Sequence, residues 1–182
     1  MRHAIAIVFA AASAGCLEFG DGDAKVPGEP LGTYRVTGRL EDDGCRAPVL
    51  GVTDPWHFEI KLSRFAQDLY WLNGREAIVG EIAADDVSFR FETQVDIELS
   101  EMHGRVPGCT IERTDRAAGK LGSGGTDVAT FEGGLSFVYS QEEHSDCSAA
   151  VEGPESGFAV LPCTIAYGLR GVRIEAESPA KQ

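Results

Sequence analysis

The chain has 182 residues, enough for one domain of ordinary size with a short appendage, and two folded domains are not expected. Sixteen Lys and Arg against 29 Asp and Glu leave a net charge of -13, which repels phosphate backbones and excludes nucleic acid as a partner class. Apolar residues at 43% and charged residues at 25% are the balance of a globular chain, not of a disordered or multi-span membrane one.

Met1, Arg2 and His3 form a basic start, and Ala4 to Ala12 follow as an uncharged apolar run too short to span a bilayer. This pattern fits a secretory signal peptide over residues 1–15. Two cleavage readings remain open. Ala12, Ser13 and Ala14 satisfy the small-x-small rule for a cut before Gly15. Ser13, Ala14, Gly15 and Cys16 instead resemble a bacterial lipobox, departing from it at Ser13 where an aliphatic residue is usual. That resemblance implies a lipoprotein whose Cys16 carries the lipid and anchors the chain to a membrane of the cell envelope. Leu17 stands where enteric lipoproteins retained in the inner membrane carry Asp, so the same resemblance implies the outer membrane, with simple secretion as the alternative. The chain as a whole resembles predicted lipoproteins of high-GC, myxobacteria-like bacteria, to which twelve Arg, four Lys and a single Asn are suited.

Cysteine parity supports the lipid reading. Of five cysteines, assigning Cys16 to lipid leaves Cys45, Cys109, Cys147 and Cys163, an even set suited to an oxidising compartment. Four cysteines allow three connectivities. Bridging Cys147 to Cys163 would close a short loop and contribute about 3 kcal/mol, which leaves Cys45 to pair with Cys109. Between Cys16 and Pro30 the sequence is rich in Gly, Pro and acidic residues and reads as a flexible tether. Its Asp21-Gly22-Asp23 lacks the later ligands of a calcium loop.

From Leu31 to Gln182 the apolar residues alternate with period two, the signature of strands with one dry and one wet face. Tyr34 to Leu40 give the first strand and Trp56 to Ser63 the second, with a single helical turn expected over Ser63 to Gln67. Asp68 to Leu72 and Ala77 to Ile82 flank Asn73 and Gly74, a type I′ hairpin signal. Ser88 to Glu92, extending toward Leu99, is the fifth strand and Cys109 to Thr114 the sixth. Ala129 to Tyr139 and Ile165 to Leu169 complete about eight. Short sequential strands predict a single all-β domain, an antiparallel meander closed into a small barrel, with a β-sandwich as the alternative. Arg35, Arg39, Glu59, Lys61, Arg90 and Glu92 on the second face predict a wet exterior rather than a membrane-spanning barrel.

Gly32, Thr33 and Tyr34 resemble the G-x-W motif of the lipocalins with Tyr in place of Trp. Arg170 or Arg173 on the last strand resembles the Arg that packs over that ring. The resemblance implies an eight-stranded barrel that carries a small apolar ligand. Independently, Tyr34, Trp56, Phe58, Trp71, Phe89, Phe91, Phe131, Phe137 and Tyr167 share the dry face, where they either fill a core or line a cavity.

No catalytic motif emerges, so a binding or structural interaction module is the leading reading, a lipocalin-like carrier of a small apolar ligand the alternative and an envelope hydrolase the second alternative, with an envelope protein or a small apolar ligand as the expected partner. Ser123 lacks the Gly of a nucleophile elbow, since Leu121 stands there. Ser178 and Lys181 match S-x-x-K only in the terminal residues. Glu142, Glu143, His144 and Asp146 read as a solvated acidic loop, and His57, His103 and His144 lack metal-ligand spacing. No metal or cofactor is expected, and the oligomeric state is open.

Overall fold

A computed structural model describes residues 27–46, 50–72, 76–102, 104, 107–152 and 157–174. Eight strands follow in chain order: β1 Glu29–Asp43, β2 Trp56–Phe65, β3 Asp68–Leu72, β4 Ala77–Ile82, β5 Ser88–Ser100, β6 Cys109–Leu121, β7 Thr130–Gln141 and β8 Cys163–Ile174. Each pairs antiparallel with the next, and β1 pairs with β8, so the meander closes into a barrel and the sandwich is set aside. Closure gives the first and last strands hydrogen-bonding partners that an open sheet would leave exposed.

Alternation places the two faces. On β2, Ile60 and Leu62 are buried while His57, Glu59 and Lys61 are exposed. The outer face carries charge pairs in register across neighbouring strands: Arg35 with Glu59 at 3.2 Å, Arg90 with Glu81 at 2.7 Å and Arg116 with Glu92 at 2.8 Å. Such exposed pairs contribute at most about 1 kcal/mol each, but they make the exterior unlike the apolar band of a membrane-spanning barrel.

Several boundaries differ from expectation. β1 begins at Glu29, inside the expected tether, because Glu29 and Pro30 pair with Arg64 and Ser63, and the Ser63 hydroxyl donates to the Pro27 carbonyl at 2.6 Å. The helical turn expected over Ser63 to Gln67 is not formed. Ser63, Arg64 and Phe65 continue β2, Phe65 pairs with Asp68, and Ala66 takes a positive φ of 56° to complete a tight hairpin. Asn73 and Gly74 lie outside the described residues, although Leu72 and Ala77 on either side do pair. β6 runs to Leu121 rather than Thr114. The helix α1, Ser148–Glu152, was not legible because five residues carry no helical period; Asp146 accepts from the Ser148 amide at 3.1 Å and hydroxyl at 2.8 Å at its start.

The four cysteines form two disulfides, but the expected pairing is wrong: Cys45 bonds Cys163 and Cys109 bonds Cys147. Sequence proximity misled, and strand neighbours decide. Cys45 lies just past β1, where Gly44 donates to Thr164 at 2.9 Å and brings it beside Cys163 at the start of β8. Cys147 follows β7, whose neighbour β6 begins at Cys109; Asp146 donates to Gly108 at 2.9 Å and sets the two sulfurs together. Both bridges therefore staple the same barrel end, the one that also carries the β1–β2 and β7–β8 connections.

Candidate functional site

The inward aromatic residues divide into two groups along the barrel axis. At the end where the chain enters, they fill the interior. The Phe131 ring lies 5.6 Å from Tyr34 and 6.0 Å from Phe89, and Leu31, Leu69 and Val128 are buried around them. The buried Tyr34 hydroxyl donates to the Val128 carbonyl at 2.7 Å and lies 3.2 Å from that of Leu31. Burial is the main cause that pushes its pKa up to about 12, partly offset by nearby Arg173. Arg173 is paired in register with Tyr34 and bound to Asp127 at 2.8 Å, whereas Arg170 sits outside opposite Glu132. Of the two candidates, Arg173 is therefore the one beside the Tyr34 ring.

Toward the stapled end the interior is not filled, and a cavity of about 320 Å³ opens there. Trp56, Phe58, Trp71, Phe91 and Phe137 form the aromatic part of its wall, and Ile78, Ala117 and Leu135 are aliphatic beside them. Trp56 stands 4.3 Å from Phe58 and 6.4 Å from Phe137, and Trp71 meets Phe91 edge to face at 5.5 Å. A second cavity of about 300 Å³ lies beyond, under residues 50–53 and beside Tyr167, and shares Trp56, Arg113 and Phe137 with the first. Arg113 thus stands between the two.

Arg113 and Asp115 are the residues that sequence reading missed. On β6 the inward positions read Cys109, Ile111, Arg113, Asp115, Ala117, Gly119 and Leu121, so an opposite pair of charges interrupts an otherwise apolar face. That interruption was the available signal. The guanidinium grips the carboxylate at both ends, Nε to Oδ1 at 2.7 Å and Nη2 to Oδ2 at 2.8 Å, and lies 5.5 Å from the centre of the Phe137 ring. Burial acts to lower the Arg113 pKa, but the hydrogen bonds and charge of Asp115 outweigh it and the net direction is up. Tyr139 lies beside Arg113, and burial is the main cause that raises the Tyr139 pKa, partly offset by the Arg113 charge. Thr93 faces Asp115 from β5.

The barrel wall is least continuous beside this pair. β4 and β5 pair only at Gly80 with Phe91, Glu81 with Arg90 and Ile82 with Phe89. Ile78 and Thr93, farther along the same two strands, both line the cavity without pairing to one another. From outside, a groove of about 540 Å³ along Val79, Glu81, Arg90 and Arg116 reaches Phe91 and Ala117, which also line the inner cavity.

The other candidates stay apart. His57 is on the outer face with its Nδ1 3.2 Å from the Thr37 hydroxyl, and His144 is exposed beside Glu143 at 3.6 Å. Ser123 donates to the Asp127 carbonyl at 2.7 Å within an exposed loop. Among the described residues no group of three or more His, Cys, Asp or Glu is arranged to hold a metal ion. Cys16, His103, Ser178 and Lys181 lie outside the described residues. No protein family, curated protein or solved structure matches this chain.

Proposed function

We propose that this protein is a lipid-anchored binding module of the cell envelope, in which Cys16 holds the chain to a membrane, favourably the outer one, and the barrel receives a small, largely apolar ligand. The observation that carries the binding half is the cavity of about 320 Å³ among Trp56, Phe58, Trp71, Phe91 and Phe137, in a barrel whose other half is filled. A concave, mostly apolar site with few polar groups is the usual form of a small-molecule pocket. The anchoring half rests on the run Ala14-Gly15-Cys16 after an apolar leader, and on parity. The two disulfides take up every cysteine except Cys16. Disulfides also suit an oxidising compartment outside the cytoplasm.

Native mass spectrometry of protein purified from its own envelope tests both halves at once. Acyl mass on Cys16 together with a reproducible small-molecule adduct, lost on denaturation, supports the reading. An unmodified terminus at Gly15 overturns the anchor, and an empty barrel that takes up no apolar probe overturns the ligand.

A further inference from the structure

We infer that the barrel selects a ligand with a flat apolar body and an uncharged hydrogen-bonding head group, seated against the Arg113–Asp115 pair. This rests on the ligand-binding reading and narrows it to a chemical class. The wall of the cavity is apolar, aromatic and aliphatic, except for Thr93, Arg113 and Asp115, so polar recognition is concentrated at one point of it. Rings such as Trp56, Trp71 and Phe137 offer faces to a flat apolar body.

Charge decides the head group. Arg113 and Asp115 are joined by two short hydrogen bonds and cancel one another. An anionic ligand would have to draw Arg113 from Asp115, or else leave two negative groups around one cation inside a chain of net charge -13. A cationic ligand would meet the guanidinium, which already lies 5.5 Å from the Phe137 ring centre and fills the cation's place over that face. A neutral carbonyl, amide or hydroxyl meets neither difficulty. It can accept from the part of the Arg113 guanidinium that Asp115 does not use, or donate to the outer lone pairs of Asp115, with Thr93 close by.

The experiment uses four probes that share one ring: benzamide, benzoate, benzylammonium and toluene. Binding is read from Trp emission of the full chain carrying Cys16→Ser, which avoids detergent. The protein's two tryptophans, Trp56 and Trp71, both line the cavity. Benzamide is expected to bind tightest, by about fivefold or more over toluene, the worth of one net hydrogen bond. Asp115→Asn should leave Arg113 uncompensated and shift the preference to benzoate. Should that variant not fold, Arg113→Met/Asp115→Leu replaces the pair by apolar side chains and should abolish the advantage of benzamide over toluene. Benzoate or benzylammonium binding tightest to the unaltered barrel, or toluene binding as well as benzamide, overturns the head-group inference while leaving the binding reading intact. If none of the four perturbs either Trp up to its solubility limit, both fail.

Discussion

Gly171 on β8 faces Phe131 on β7 so closely that a Cβ at position 171 would overlap the phenyl ring. The missing side chain makes room for the ring that fills the closed half of the barrel, where Phe131 is only 1% exposed. Gly171→Ala is expected to destabilise the fold by about 1–3 kcal/mol, because Phe131 must leave its rotamer or the strands must part. Urea unfolding measures this. An unchanged midpoint would show that the ring has slack. The companion change Phe131→Leu in the Gly171→Ala background should recover part of the loss, since it shortens the side chain that the new methyl meets.

The strands were legible because period two survives on nearly every one of them: Val36 and Ile60 are buried and Arg35 and Glu59 exposed, as alternation requires. What alternation cannot convey is which strands meet when the barrel closes. Cys163 looked near Cys147 along the chain, yet the β1–β8 contact joins it to Cys45 across a sequence separation of 118. Nor does a list of aromatic residues reveal whether they pack or stand apart. Phe131 and Trp71 share a face by sequence, and their rings lie 6.2 Å apart, but only the closed barrel puts Phe131 in the filled half and Trp71 beside the cavity. Arg113 lay within the expected sixth strand, but ending that strand at Thr114 left Asp115 beyond it, so two opposite charges on one inward face did not show as a pair.

Tyr34 should govern alkaline stability. Its pKa is about 12 in the folded barrel against 10.0 ordinarily, so between those values the folded state holds a proton that the unfolded chain releases. Stability from this group is therefore complete below pH 10, falls as pH rises toward 12, and amounts to roughly 2–3 kcal/mol on linkage arithmetic. Tyr34→Phe removes that limb of the pH profile. Near neutral pH it should also cost about 1–2 kcal/mol, because the Val128 carbonyl, which accepts at 2.7 Å, loses its buried donor. Tyr139 and Tyr167 are shifted upward as well, so the profile should flatten without becoming level. A profile identical to that of the unaltered protein would refute the assignment.

The Arg113–Asp115 pair is expected to serve binding more than folding. Each side chain keeps part of its surface exposed, at 30% and 20%, so their attraction is screened and their desolvation incomplete. Asp115→Leu alone should destabilise by about 1–3 kcal/mol by leaving a partly buried guanidinium without its partner. Arg113→Met/Asp115→Leu together should come within about 1 kcal/mol of the unaltered barrel, as apolar replacements of internal ion pairs commonly do. A double-mutant cycle in urea reads the coupling. If the double variant were as unstable as the two single losses added, the pair would be a structural staple and not a recognition element.

The two disulfides close loops of very different length and should be separable by their effect. On chain-entropy grounds Cys109–Cys147, with a sequence separation of 38, contributes about 4 kcal/mol, and Cys45–Cys163, with 118, about 5 kcal/mol. Their local consequences differ more than these totals. Cys109–Cys147 pins the start of the segment that runs through α1 to Phe158, whose ring packs 5.5 Å from Tyr139, the neighbour of Arg113. Cys109→Ser/Cys147→Ser should therefore loosen that segment and raise amide hydrogen exchange around α1 while the β1–β8 seam stays protected. Cys45→Ser/Cys163→Ser should instead raise exchange where β1 leaves β8, near Gly44 and Thr164. Both predictions follow from which strands the bridges join. Exchange that rose equally throughout the barrel in both variants would mean that the stapled end opens as one unit and that neither bridge has a local role.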